Sequence, residues 1–216
     1  GRSRSLRLPL ASCLFPLPIT PTTPITPTTL IPMILTLTGV PGAGKSTIAS
    51  LLAKKLSMSW YSIGDLRGKM ADEKGITIDE LNTIGETQPF SDNEVDAYQE
   101  KLGREQDNFI LDGRLSWHFV PQSFKIFLDV DEDEAARRIF SASKQGLRKD
   151  EKPYQSALEV KESIRARLAS DQKRYKQYYD VDYLDRSNYD LVIDTTHLTP
   201  EKIVEEILNN KTYLSS

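Results

Sequence analysis

The sequence is poor in the residues that build metal centres and disulfide frameworks. It has one cysteine, Cys13, and two histidines among 216 residues. A single cysteine excludes a disulfide framework within the chain and a multi-cysteine zinc site, and two histidines disfavour a histidine-built metal centre. No apolar run approaches the length that spans a membrane, so we expect a soluble, cytoplasmic protein.

An excess of charge of one sign is also missing. The chain has 28 Lys and Arg residues against 31 Asp and Glu, which gives a net charge of −3. A nucleic-acid-binding protein would usually carry a strong basic surplus. A composition of 38% hydrophobic and 27% charged residues fits one globular domain. We therefore expect small-molecule partners, no nucleic acid, no membrane and a monomeric state.

The first part of the chain lacks acidic residues. No Asp or Glu occurs between Arg2 and Met33, and residues 16–32 consist mainly of Pro, Thr and Ile. Proline at this density removes backbone donors and favours extended, solvated chain. The sequence therefore predicts a disordered extension over residues 1–32 and one domain over residues 33–213.

Two more specific interpretations of residues 1–32, both as targeting segments, remain open. Leu10–Cys13 resembles a bacterial lipoprotein cleavage site, but no adequate apolar segment precedes it. An organelle transit peptide is suggested by three arginines without nearby acids, Arg2, Arg4 and Arg7. We favour a simple upstream extension, with Met33 as the natural start, because the first predicted strand follows at once.

Apolar runs typical of strands alternate with helical patterns from Met33 onward. This alternation predicts an α/β domain with a parallel sheet that helices cover on both faces. A polar loop is expected at residues 145–153. The predicted strands are 34–38, 60–63, 109–111, 124–128 and 191–193, and the predicted helices are 64–75, 78–85, 92–105, 131–143, 157–179, one from about Lys45 to Leu56 and one that begins near Thr199.

A complete phosphate-binding loop joins the first strand to the first helix. Glycines at its fixed positions let the backbone wrap an anion, and the helix N-terminus adds its positive dipole end. Lys45 is expected to reach the β- and γ-phosphates of a nucleoside triphosphate, and the Ser46 hydroxyl to bind Mg²⁺. The expected nucleotide contacts are Gly39, Pro41, Gly42, Ala43, Gly44, Lys45, Ser46 and Thr47.

An acidic residue, Asp112, ends a later buried strand. A carboxylate beside the loop is the usual second support for Mg²⁺ in P-loop proteins. The alternative is an Asp that caps the turn before Gly113. A GTPase is disfavoured, since 210–213 lacks the acid of a guanine-reading Asn-Lys-x-Asp and the D-x-x-G match at 65–68 follows the wrong strand.

Further segments, in order along the chain, resemble the nucleoside monophosphate kinases. The resemblance is strongest to the cytidylate kinases, especially their compact archaeal form. It implies a P-loop NTPase domain of three layers with a central five-stranded parallel sheet, a helical monophosphate-binding insert and a small lid. It also implies ATP with Mg²⁺ as cosubstrate and CMP or dCMP as acceptor. The segments are Tyr61–Asp65, Leu111–Ser116, Lys125–Asp129, Ala136–Ile139, Arg167–Tyr175 and Tyr189–Asp194.

Arginines placed by this resemblance suit the transfer of a phosphoryl group between two polyanions, because a planar guanidinium matches phosphate oxygens. The resemblance assigns Arg114 and Arg174 to the acceptor phosphate. It assigns Arg167 and Asp171, on the same helix face, to the acceptor sugar. The alternative is a solvated face held by charge pairs, and Arg165 could replace Arg167.

The resemblance places Arg138 on the ATP adenine and Thr195 at the border of the adenine site. Arg137 is a weaker neighbour, and His197 is expected to be a loop residue. On the acceptor side it implies roles for Asp65 and for Arg67, although Arg67 stands one place before the arginine of most monophosphate kinases.

The sequence departs from the family pattern where the base is read. Bacterial cytidylate kinases have an Asp at the position of Leu115, whereas the archaeal form also has Leu. We expect the polar edge of the base to be read from the helix after Ser91, by Glu94, Asp96 or Gln99. The lid arginine is replaced by Ala142, and its possible substitutes are Lys144, Arg148 and Lys149.

The sequence therefore predicts a kinase that phosphorylates (d)CMP. Three alternatives remain: another nucleoside monophosphate such as UMP or AMP as acceptor, a non-nucleotide acceptor, and a nucleotide-binding regulator without catalysis.

Overall fold

The computed structural model describes residues 33–85, 90–146 and 154–210. The predictions for the extension at 1–32, for the lid candidates Arg148 and Lys149, and for the domain end at 213 lie outside these residues. Within the described part of the chain, no helix is long and apolar enough to cross a membrane.

Five parallel strands form one sheet in the order β2-β3-β1-β4-β5. The first strand lies at the centre, so the carboxyl ends of β3 and β4 flank the phosphate-binding loop that follows it. The predicted parallel sheet is confirmed. The strands are β1 Ile34–Gly39, β2 Ser59–Ser62, β3 Phe109–Asp112, β4 Phe124–Asp129 and β5 Leu191–Asp194.

Eight α-helices and one short 3-10 helix, Arg186–Asn188, are present in the described residues. Three of the α-helices, α2 to α4, lie between β2 and β3. The helices are α1 Lys45–Leu56, α2 Ile63–Lys74, α3 Ile78–Gly85, α4 Phe90–Glu105, α5 Ser116–Phe119, α6 Glu132–Lys144, α7 Ala157–Tyr179 and α8 Pro200–Asn209.

The structure corrects three helix starts and adds a short helix, α5. Helix α6 starts at Glu132 rather than Asp131, because Asp131 caps it from outside. Ile63 begins α2 rather than ending a strand, because the Ser62 hydroxyl accepts a hydrogen bond from the Asp65 amide and caps the helix. Helix α4 starts at Phe90, two residues before the predicted start at Asp92. Helix α5 has only four residues, too few to show a helical period.

Helices cover both faces of the sheet. Because alternate residues of each strand point to opposite faces, each face contributes its own set of buried side chains. On one face Leu35, Leu37 and Ile110 belong to a cluster with buried residues of α1, α6, α7 and α8. On the other face Phe109 and Leu111 pack with residues of α2 and α4. The three-layer architecture predicted from the alternating pattern is confirmed.

Candidate active site

The phosphate-binding loop has a backbone that glycine favours. Gly42 and Gly44 have φ values of 84° and 86°, in the left-handed region. A Cβ on Gly42 would lie 2.8 Å from the Ala135 Cα, so the loop and α6 touch without room for a side chain. Helix α1 starts directly after Gly44, and its N-terminus therefore faces the loop.

Lys45, Ser46 and Asp112 meet at the end of this loop. Nζ of Lys45 donates to the carbonyls of Gly39 at 3.0 Å and Val40 at 3.2 Å. The Ser46 hydroxyl donates to Oδ2 of Asp112 at 2.7 Å. These two side chains bring together a hydroxyl and a carboxylate oxygen, the ligand type that Mg²⁺ prefers.

Asp112 is in place because β3 pairs with β1, with Asp112 opposite Leu37. Burial raises the pKa of the Asp112 carboxyl, while the nearby Lys45 ammonium and the Ser46 hydrogen bond oppose that rise. A cation bound beside Lys45 and Ser46 would balance the negative charge of this buried carboxylate.

A tight turn after β3 sets the position of Arg114. The Gly113 amide donates to the Leu37 carbonyl at 3.1 Å, and the Thr38 hydroxyl donates to the Gly113 carbonyl at 3.0 Å. A Cβ on Gly113 would lie 2.8 Å from Cγ1 of Ile63. These contacts hold the turn against β1, the strand that leads into the phosphate-binding loop. The next residue, Arg114, therefore begins beside that loop.

Arg114 and Arg174 share one carboxylate. Nη2 of Arg174 donates to Oδ1 of Asp171 at 2.9 Å, and Arg114 forms an ion pair with Oδ2 of the same residue. Asp171 and Arg174 are almost fully buried, at 2% and 1% exposure. The two arginines predicted to hold the acceptor phosphate are thus adjacent, and Asp171, predicted at the sugar, directs both oxygens at them.

Two tyrosine hydroxyls complete this group, and neither was singled out from the sequence. The Tyr183 hydroxyl accepts from Arg114 and the Tyr175 hydroxyl from Arg174, both at 3.2 Å. Tyr175 directly follows Arg174, so its place in the motif was a usable signal. Tyr183 lies on the segment after α7, where nothing in the local pattern marks it.

Arg138 is held at the opposite side of the loop. Its guanidinium donates to Oε1 of Glu134 at 2.7 Å and to the carbonyls of Thr195 at 2.7 Å and Thr196 at 3.2 Å. Hydrogen bonds from Arg137 and Arg138 lower the pKa of Glu134 to about 2, so this carboxylate stays charged at neutral pH. Thr195 is itself buried.

One cavity of about 870 Å³ connects the two sides. Its volume lies near the upper end for ligand sites. The predicted site residues that line it are Pro41, Gly42, Ala43, Gly44, Lys45, Ser46, Thr47, Asp65, Arg67, Asp112, Arg114, Arg138, Arg167, Asp171 and Arg174.

Other candidates do not line this cavity in the described structure. Asp96 accepts a hydrogen bond from the Tyr179 hydroxyl, and the buried Gln99 accepts one from Ser116 at 2.8 Å. Arg165 binds Glu132 at 2.6 Å, so Arg167 is the residue of this pair that faces the cavity. Gly39 and Thr195 do not line the cavity. Their carbonyls accept hydrogen bonds from Lys45 and Arg138, which do.

Solved structures with this fold include an uncharacterized protein from Eubacterium ventriosum, with a TM-score of 0.61 and 15% identity over 85% of this chain and 99% of that chain. The shikimate kinase from Bacteroides thetaiotaomicron gives a TM-score of 0.52 and 17% identity over the same shares of the two chains. The fold and the phosphate-binding loop define a P-loop nucleotide-binding domain.

Sequence comparison narrows this class. The model of the cytidylate kinase-like family matches residues 34–197, and the chain belongs to that family. The cytidylate kinase of Methanobrevibacter smithii is 34% identical over 176 residues, which cover 82% of this chain and 96% of that protein. That of Methanothermobacter thermautotrophicus is 33% identical over 169 residues, which cover 78% and 99%. The protein is therefore a kinase, a phosphotransferase that uses nucleotides.

A further relative carries a different name. The S-adenosylmethionine-dependent nucleotide dehydratase of Lacinutrix mariniflava is 33% identical over 177 residues, which cover 82% of this chain but only 35% of that protein. The similarity thus covers one part of a longer chain.

Proposed function

We propose that this protein transfers the terminal phosphate of ATP to CMP or dCMP, giving ADP and CDP or dCDP, with Mg²⁺ as cofactor. The observation that carries the proposal is the pairing of Arg114 and Arg174 on Asp171, in the same cavity as the P-loop. A phosphate-binding loop and a pair of arginines in one cavity suit a reaction between two polyanions. The relatives named cytidylate kinases support a cytidine nucleotide as acceptor.

The residues divide the reaction between them. The P-loop amides and Lys45 hold the β- and γ-phosphates, while Arg114 and Arg174 hold the acceptor phosphate. An acceptor oxygen attacks the γ-phosphorus as the bond to the β–γ bridging oxygen breaks, and ADP leaves. No general base is required, because the attacking oxygen is already an anion.

Ser46 and Asp112 would hold Mg²⁺, and their hydroxyl and carboxylate oxygens fit that cation. When bound, Mg²⁺ neutralises charge on the β- and γ-phosphate oxygens. Arg138 would support the adenine side, since its contacts to Thr195 and Thr196 fix the guanidinium there.

On the acceptor side, the proposal includes Arg167, Asp65 and Arg67, which line the cavity. It does not depend on Asp96, since reading a base from there would require its hydrogen bond with Tyr179 to open. The proposal also includes the cytoplasmic location and the monomeric state expected from the sequence.

A panel of acceptors tests the proposal. The full chain is assayed with ATP and Mg²⁺ against CMP, dCMP, UMP, AMP and GMP, and ADP formation is followed. We expect kcat/KM for CMP or dCMP to exceed that for the other acceptors by about ten-fold or more. A faster reaction with another monophosphate would reassign the acceptor. If none of the five supported ADP formation, the proposed acceptor class would be wrong.

The matched control is Lys45→Ala, which we expect to stay folded and to lose the contact to the transferring phosphate. Activity that persists unchanged in this variant would come from a contaminating kinase or from another site.

A further inference from the structure

Tyr183 contacts one side of the Arg114 guanidinium. Its side chain is fully buried, and its hydroxyl lies 3.2 Å from Nη1 of Arg114. The guanidinium carbon is 5.9 Å from the centre of the Tyr183 ring. Asp171 binds the same guanidinium. The arginine is therefore held by a phenol and a carboxylate before any ligand binds.

Tyr183 is itself held firmly. Its ring packs edge-on against Tyr175 with 5.4 Å between centroids, and its carbonyl accepts from the Tyr189 hydroxyl at 2.7 Å. Leu115, the neighbour of Arg114, is buried in the same cluster. A side chain fixed at ring, hydroxyl and backbone can set the direction of the residue that it contacts.

A phenol and a carboxylate differ in their effect on the positive charge of Arg114. Asp171 is already shared by Arg114 and Arg174, and a second carboxylate would cancel the positive charge that the acceptor phosphate needs. A neutral hydroxyl accepts a hydrogen bond and leaves that charge in place. Burial raises the pKa of Tyr183, which keeps the phenol neutral.

We propose that Tyr183 is a positioning residue for phosphoryl transfer, which holds the Arg114 guanidinium in the orientation that binds the acceptor phosphate. The inference rests on the proposed function, since it takes Arg114 as the acceptor-phosphate ligand. An arginine held in advance loses less side-chain freedom when the phosphate arrives.

The test variant is Tyr183→Phe, which keeps the ring and removes only the hydroxyl. We expect kcat/KM for the acceptor to fall about ten-fold or more, with KM for ATP unchanged. The matched control is Tyr61→Phe on β2, whose hydroxyl donates to Gln106 at 2.7 Å and does not line the cavity. The control should keep wild-type kinetics.

A double-mutant cycle separates positioning from a general structural effect. If Tyr183 acts through Arg114, then Tyr183→Phe should cost nothing more in an Arg114→Ala background. Additive losses, or a Tyr183→Phe variant with wild-type kinetics, would overturn the inference. Both of these results would leave the proposed function intact as long as Arg114→Ala alone is impaired.

The failure of the proposed function looks different. It would show as an Arg114→Ala variant with full activity, or as a wild-type protein that phosphorylates none of the acceptors. If the panel identifies a monophosphate other than CMP, the cycle is measured with that acceptor.

Discussion

Arginine side chains in the cavity are held in two different ways. On the acceptor side, Arg114 and Arg174 are tied to one shared carboxylate and to tyrosine hydroxyls. On the other side, Arg138 is tied to backbone carbonyls and to Glu134. Because the two supports share no residue, substitutions on the two sides should affect different substrates.

The first prediction uses this separation. Arg114→Ala removes a charge-assisted contact worth about 2–4 kcal/mol in a water-poor site, so kcat/KM for CMP should fall by about two to three orders of magnitude. The affinity for ATP, measured without acceptor, should hardly change. Arg138→Ala should show the reverse, weakening ATP binding more than acceptor use. Steady-state kinetics and equilibrium ATP titration measure both effects.

Two further variants sharpen that comparison. Arg114→Lys should recover only part of the loss, because lysine has the charge without the planar fork. Arg165→Ala is the matched control, since this exposed arginine binds Glu132 outside the cavity. The assignment of Arg114 would be wrong if its replacement by Ala weakened ATP and CMP to the same extent.

The second prediction concerns Asp171. Replacing it with Asn leaves Arg174 buried without its anion, and breaking a buried pair from one side costs about 3–5 kcal/mol. Asp171→Asn should therefore lower the free energy of unfolding strongly, as measured by urea denaturation. The control is Asp180→Asn at the exposed end of α7, where the pair with Lys176 should contribute little.

A different result would favour the sugar role that the resemblance implies for Asp171. In that case the stability of Asp171→Asn would match that of the wild type, and the main change would be in the ratio of activities on CMP and dCMP.

At the scale of secondary-structure elements, the site depends on how closely the P-loop and α6 approach. Gly42 lies against the backbone of Ala135, and the next turn of α6 presents Arg138 to Thr195. Asp131 caps α6 by accepting from the amides of Asp133 and Glu134. Helix α6 therefore supports the loop and holds Arg138 as one unit.

The third prediction is that Gly42→Ala damages this contact. An added Cβ would meet the Cα and the carbonyl oxygen of Ala135 at 2.8 and 3.0 Å, and backbone atoms cannot move aside as a flexible side chain can. The displaced loop should lower kcat/KM by roughly a hundred-fold, since small misplacements of reacting groups have effects of that order. Kinetics and ATP titration are the measurements.

Gly75→Ala is the matched control. Gly75 also has a left-handed backbone, with φ of 68°, but nothing lies within 4 Å of an added Cβ. This variant should lose only about 1–2 kcal/mol of stability through backbone strain and keep its kinetics. Equal kinetic damage in both variants would show that strain, rather than the contact with α6, explains the effect at Gly42.

At the scale of the whole molecule, the sheet and the cavity are built from residues after Met33. The match to the cytidylate kinase-like family likewise spans residues 34–197.

The fourth prediction is that a chain beginning at Met33 equals the full chain in melting temperature and in kcat/KM for CMP. Truncation tolerance depends on the burial and hydrogen bonding of the affected backbone, and the described domain is held by its own core. Thermal unfolding and steady-state kinetics of the two proteins are compared. A clear loss on truncation would show that the first residues contribute to the domain.

Local sequence determined much of this protein. Helix α1 runs from Lys45 to Leu56 as predicted, because the glycine loop before it has a conformation set by its own residues. Thr199 caps α8 and Pro200 follows it, again as expected from adjacent residues. The alternation of strands and helices was enough to predict a parallel sheet with two covered faces.

The tertiary structure decided which side chains meet. Arg114 and Tyr183 are 69 positions apart, and Arg138 and Thr195 are 57 apart, so no local pattern could place them in contact. The order of the strands sets β3 beside β1, which brings Asp112 to Ser46. The sequence by itself therefore determined most of the elements and the phosphate loop. The packing of α7 and the segment after it decided how Arg114 is held, and the packing of α6 beside the end of β5 decided how Arg138 is held.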